Sequence, residues 1–95
     1  MRIFDRDDAG YVDWLESNPH GFVLNSYRGP KTSYLILHQA VCKSVSRIAD
    51  PPVRWTTSEF IKVCATDVAE IEEWCGNKTG SSPQPCGMCR PLSPS

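Results

Sequence analysis

The chain predicts a small α+β fold, an antiparallel sheet of three to four strands with two helices. Residues 22–27, 34–38 and 60–65 are apolar runs of strand length, and residues 9–17 and 67–75 repeat apolar side chains at helical spacing. The third observation is chemical. His38-x3-Cys42 and Cys86-x2-Cys89 form two local pairs of zinc-type ligands at distant points in the sequence. Joining them requires a fold that closes its C-terminus onto the sheet, as a zinc knuckle does.

Taken in order, Asp7 or Asp8 caps a first helix from about residue 9 to 17, with Tyr11, Trp14 and Leu15 on one face. The turn 18–21 ends it. Strands at 22–27 and 34–38 form a hairpin around the loop 28–33. In the second strand Tyr34, Ile36 and His38 share one face and Leu35 and Leu37 the other, so it is expected inside the sheet. Residues 41–45 read as a turn and short strand, and residues 53–58, around Trp55, as loop or edge strand after the Asp50-Pro51-Pro52 break. A strand follows at 60–65. A second helix starts at Asp67, with Asp67 and Glu70 at capping-box spacing and Ile71, Trp74 and Cys75 as its inner stripe. It is expected to end at Gly76-Asn77. Residues 77–85 read as a Gly/Ser/Pro linker.

The 95 residues suit a single domain: an N-terminal helical segment (1–19), the sheet and second helix (20–76), and a linker with the Cys-x2-Cys tail (77–95). With 40% hydrophobic and 22% charged residues, neither disorder nor a fibre is indicated. No apolar run approaches the roughly 20 residues that span a bilayer, so no membrane partner is expected. Acidic residues stand where a signal peptide would have its apolar stretch, which points to a cytoplasmic location. In a reducing compartment the five cysteines are better read as thiols or metal ligands than as disulfides, and an odd number fits three ligands plus two core thiols, Cys64 and Cys75.

Two ligands four residues apart, at a strand end and the turn after it, can converge on one ion. A Cys-x2-Cys turn directs two thiolates inward while backbone N–H groups face the sulfurs. Four such ligands leave no open position, the structural form of a zinc site. A redox Cys-x2-Cys would open a helix, whereas Cys86 lies between Pro85 and Gly87 with no helical pattern after it. The expected metal ligands are His38, Cys42, Cys86 and Cys89, and the cofactor is zinc.

The apolar stretch ending in His-x3-Cys, the later strand and helix, and the terminal Pro-Cys-x2-Cys-Arg-Pro resemble the metal-binding domain of the Ada DNA-repair proteins. The match is closest at 37–42 and 85–91 and extends as element order over about 22–91. The resemblance implies a zinc-held module of a class used on DNA. Its alkyl-accepting members have two cysteines in the first pair, one of which takes a methyl group from DNA phosphotriesters. Here His38 stands at the first position, and an imidazole is a poor replacement for that nucleophile. A zinc-thiolate alkyl acceptor is therefore the less favoured reading. With zinc holding four ligands, only His20 is left to pair with a cysteine, and no phosphate loop, HExxH or paired carboxylates occur, so no catalytic residues are assigned.

The net charge of −1 conceals a basic middle. Residues 20–65 carry six basic against two acidic groups, while both flanks are acidic. Trp55 beside Arg54, with Thr56 and Thr57 after it, could stack on a base while the arginine meets a phosphate or guanine edge. Tyr27, Arg28 and Lys31 in the hairpin, with Lys43 and Arg47 after the His/Cys pair, could line the same side. The expected function is non-catalytic DNA binding, extending to methylated DNA if Trp55 meets an extruded base. The rival is a structural or protein–protein interaction module, which the near-neutral net charge favours.

Overall fold

The computed structural model describes residues 1–46 and 55–89. A five-stranded sheet runs through it in the order β1-β4-β2-β3-β5. Strand β2 (Phe22–Tyr27) is central, with β4 (Phe60–Ala65) antiparallel on one side and β3 (Leu35–Gln39) antiparallel on the other. Strand β1 (Arg2–Phe4) adds an antiparallel edge beyond β4, and β5 (Gln84–Pro85) a parallel edge beyond β3. The fold class is α+β as expected, but the sheet has five strands and is mixed. The two additional strands are three and two residues long, too short to show an alternation. Pro85 has no N–H to give a ladder and is accommodated on an edge.

Side-chain alternation divides the sheet into two buried faces. Leu24, Leu35, Leu37, Ile61, Val63 and Ala65 point to one, where helix α3 (Val68–Thr79) covers them with Ile71, Trp74 and Cys75. Val23, Ile36 and Cys64 point to the other, where they meet Phe4, Ala40, Cys42, Val45 and Cys86, with Tyr11, Trp14 and Leu15 from helix α1 (Asp8–Ser17). Val23 pairs directly with His38 on one side and Cys64 on the other, so one cross-strand row leads to the ligand histidine.

Asp7 is the α1 cap, its carboxylate accepting from Gly10 N at 2.9 Å. A Cβ on residue 10 would stand 2.3 Å from that carboxylate, so glycine makes room for the cap. Asp8 is used elsewhere, on Thr56. Asp67 caps α3 as expected, accepting from Ala69 N at 2.9 Å. The helix does not end at Gly76-Asn77; it runs one turn further, to Gly80 in the left-handed region (φ 75°), whose N–H reaches the Gly76 carbonyl. Of two available glycines, the later one takes the position that needs positive φ. The expected linker 77–85 is therefore helix, a short loop and β5.

The segment after Val41 is a single helical turn, α2 (Lys43–Ser46), and not a strand. The Cys42 carbonyl gathers the N–H groups of Val45 and Ser46 and the Ser46 hydroxyl, so a helical turn satisfies this stretch locally. Residues 55–59 are a run of bends; residues 53 and 54 of the loop or edge strand expected there lie outside the described residues. Among the described residues, no helix is long and apolar enough to cross a membrane.

Candidate metal centre

His38 is the fourth residue of β3, on the face shared with α1. The turn after β3 brings Cys42 back beneath the sheet, its N–H bonded to the Gln39 carbonyl at 2.9 Å. Strand β5 runs parallel to β3 with Leu37 opposite Pro85, and Cys86 N donates to the Leu37 carbonyl at 2.8 Å. That pairing delivers Cys86 and Cys89 to the end of β3 that carries the histidine. The ligand atoms of His38, Cys42, Cys86 and Cys89 all lie within 4.8 Å of one another. These four residues, 51 positions apart at the extremes of the set, are brought together by one two-residue strand.

The surroundings suit a bound cation. The Met88 N–H faces Cys86 Sγ at 3.4 Å and the Gln39 N–H faces Cys89 Sγ at 3.2 Å, so backbone dipoles point at two of the sulfurs. Burial pushes the Cys86 thiol up, but the backbone N–H groups of Cys89 and Met88 and side-chain bonds with Cys89 and Cys42 outweigh it, and its pKa is lowered. Cys89 is pushed up to about 12: burial raises it, the Gln39 N–H opposes, and the neighbouring Cys42 and Cys86 sulfurs raise it further. Crowded sulfurs resist ionising together unless a cation sits among them. Burial and the Lys62 charge lower His38 to about 4, so its ring is neutral at pH 7, the form that binds metal. Its Nδ1 is buried without a hydrogen-bond partner. A buried ring nitrogen and three convergent sulfurs form a set that a metal ion would satisfy.

Cys64 and Cys75 are buried core thiols apart from this cluster, pushed up to about 12 and about 11 by burial first. His20 is exposed in the turn before β2.

Among the described residues, those expected to meet nucleic acid are not gathered on one open face. Arg28 is spent internally: Nε meets Asp5 at 2.6 Å, and its two terminal nitrogens donate to the Ser58 and Thr56 carbonyls at 2.6 and 2.9 Å. Thr56 is fully buried. Trp55 is half-buried, its ring 5.9 Å from Tyr11 and 6.0 Å from Lys62 Nζ. Tyr27 stacks on its cross-strand partner Phe60 (4.9 Å, 20°), with Tyr34 tilted against both and Lys31 Nζ 5.3 Å from its ring. Lys31 and Lys43 are exposed at opposite ends of β3. Arg47 and Arg54 lie outside the described residues.

Three structural roles escaped the sequence reading. Lys62, counted there with the basic middle, is only 4% exposed, and its Nζ donates to Asn25 Oδ1 at 2.8 Å and the Trp55 carbonyl at 2.7 Å. The signal was its parity with Phe60 and Cys64 in a strand buried on both faces. Gln39 fastens the tail, donating from its side chain to the Cys89 carbonyl at 2.5 Å. Thr56 ties the 55–59 bends to the α1 cap. Comparison of the chain with protein-family models, curated proteins and solved structures returns no match.

Proposed function

We propose that the chain is a zinc-clasped, non-catalytic module that binds DNA. The observation that carries the clasp is the convergence of His38 and Cys42, from the middle of the sheet sequence, with Cys86 and Cys89 from its tail. Three thiolates and a neutral imidazole are borderline-soft donors suited to zinc, and four of them complete a tetrahedral site with no position left for substrate. The clasp then serves stability, holding a tail that the two-residue β5 pairs only briefly. Support for DNA is the basic middle of the chain, of which Lys31 and Lys43 are exposed at the two ends of β3.

Metal analysis of protein purified without chelator should give about one equivalent of zinc. A content below about half an equivalent overturns the clasp. Mobility-shift titrations against plain and cytosine-methylated duplexes test the rest. Binding should weaken steeply with salt, and Lys31→Ala or Lys43→Ala should each reduce the salt slope by about 1. Zinc-loaded protein that shifts no duplex at low salt removes DNA from the reading.

A protein-interaction module is the second reading, and a specific observation favours it. Val41 and Met88, the residues before Cys42 and Cys89, are 58% and 74% exposed, while Arg28 and Trp55 are engaged internally. Apolar side chains beside a rigid clasp suit a protein partner better than a phosphate backbone.

A further inference from the structure

We propose that the clasp is also a redox latch: a peroxide oxidises Cys89 and Cys86 to a disulfide, expels the metal and frees the C-terminal tail from β3. The inference rests on the metal reading above and adds a way to undo it. Of the five cysteines, Cys89 is the one that is not buried, and it follows the exposed Met88. An oxidant therefore reaches the cluster at Cys89, whereas Cys64 and Cys75 have no accessible surface. Metal-held sulfurs are kept as thiolates, the nucleophilic form. Cys86 is the natural second sulfur, three positions away across a tight turn and hydrogen-bonded to Cys89.

The step balances as follows. The Cys89 thiolate attacks one peroxide oxygen and breaks the O–O bond, giving a sulfenic acid. The Cys86 thiolate then forms the S–S bond and displaces the sulfenic oxygen as water. Two thiolates lose two electrons in all, and hydrogen peroxide takes these with two protons from solvent and leaves as two waters. His38 and Cys42 remain, and two ligands do not hold the ion against water.

The mechanical consequence follows from how the tail is fastened. Backbone pairing to β3 covers two residues, one of them proline, plus the Cys86 N–H to the Leu37 carbonyl. Two further fastenings lie at the clasp itself: the Gln39 N–H to Cys89 Sγ and the Gln39 side chain to the Cys89 carbonyl. Losing the metal and rotating both sulfurs into a disulfide removes the first and disturbs the second. Release would uncover Cys42, which packs against Cys86, and free the Leu37 carbonyl that Cys86 N now occupies.

The test treats zinc-loaded protein with hydrogen peroxide in the presence of a chromogenic zinc indicator, followed by peptide mapping without reduction. Expected are release of about one equivalent of zinc, a Cys86–Cys89 disulfide in step with it, and recovery of the clasp with dithiothreitol and zinc. Hydrogen exchange should show loss of protection at Gln39 in the oxidised form. Zinc retained after a several-fold excess of peroxide, or release with only Cys64 or Cys75 oxidised, overturns the latch. Protein that carries no zinc before peroxide overturns the clasp instead, so the two failures are distinguishable.

Discussion

Thr56 and Lys62 show how single residues hold the face opposite α3. The Thr56 hydroxyl accepts from Asp7 N at 2.7 Å and donates to Asp8 Oδ1 at 2.6 Å, while its carbonyl takes Arg6 N and an Arg28 nitrogen. Thr56→Val keeps the shape but strips Asp7 N and Asp8 of a partner, and should cost about 1–3 kcal/mol in urea unfolding, with Thr56→Ser costing less. Lys62 is a buried cation whose ammonium donates to the Asn25 amide oxygen and the Trp55 carbonyl, both of them neutral. Burial lowers its pKa to about 8, partly offset by Cys64 and Asp8. The folded state therefore releases this proton earlier than the unfolded chain does. Below pH 8 the full penalty stands, about 3 kcal/mol for a pKa moved from 10.5 to about 8. Between about pH 8 and 10 the unfolded state binds more protons, so this contribution to stability rises with pH. Unfolding free energies of wild type and Lys62→Met at pH 7.5 and 9.5 should diverge by that rise. Parallel pH profiles would show that Lys62 titrates normally.

At the scale of elements, legibility in the sequence followed length and local chemistry. Strands β2 and β4 were readable to the residue because their six-residue apolar runs are bounded by turn chemistry. The start of α3 was readable from Asp67, since a cap is a local bond. Its end was not, because Gly76 and Gly80 offer the same local signal and Gly80 is the one in the left-handed region. Asp67→Ala should cost about 1 kcal/mol. Gly80→Ala should cost a similar ~1 kcal/mol, because its φ of 75° penalises a Cβ; both are measurable by thermal unfolding. Strand β5 could not be read at all: two residues containing a proline carry no periodicity, and only the partner β3 makes them a strand. Cys89→Ser should leave α1 and α3 intact by circular dichroism while zinc content falls and amide protection at Gln39 is lost.

For the whole molecule, the clasp joins the middle of the sheet sequence to its tail, and its removal should be felt globally. Chelation should lower the unfolding free energy by at least about 2 kcal/mol and the thermal midpoint by roughly 10 °C, with zinc restoring both. An unchanged midpoint in zinc-depleted protein would show that the tail is dispensable to the fold. The sequence by itself determined the donor set, because ligand type and spacing within each pair are local facts, and it determined which strand residues face which side, because alternation follows from backbone geometry. The tertiary structure decided what those residues meet. Strand order is set by pairing between distant segments, and it alone placed β5 beside β3 and so brought Cys86 and Cys89 to His38 and Cys42. The same non-local packing turned Arg28, Trp55 and Lys62 inward. A charge in a sequence carries no mark of whether its partner will be water, a carbonyl on another strand, or a ligand.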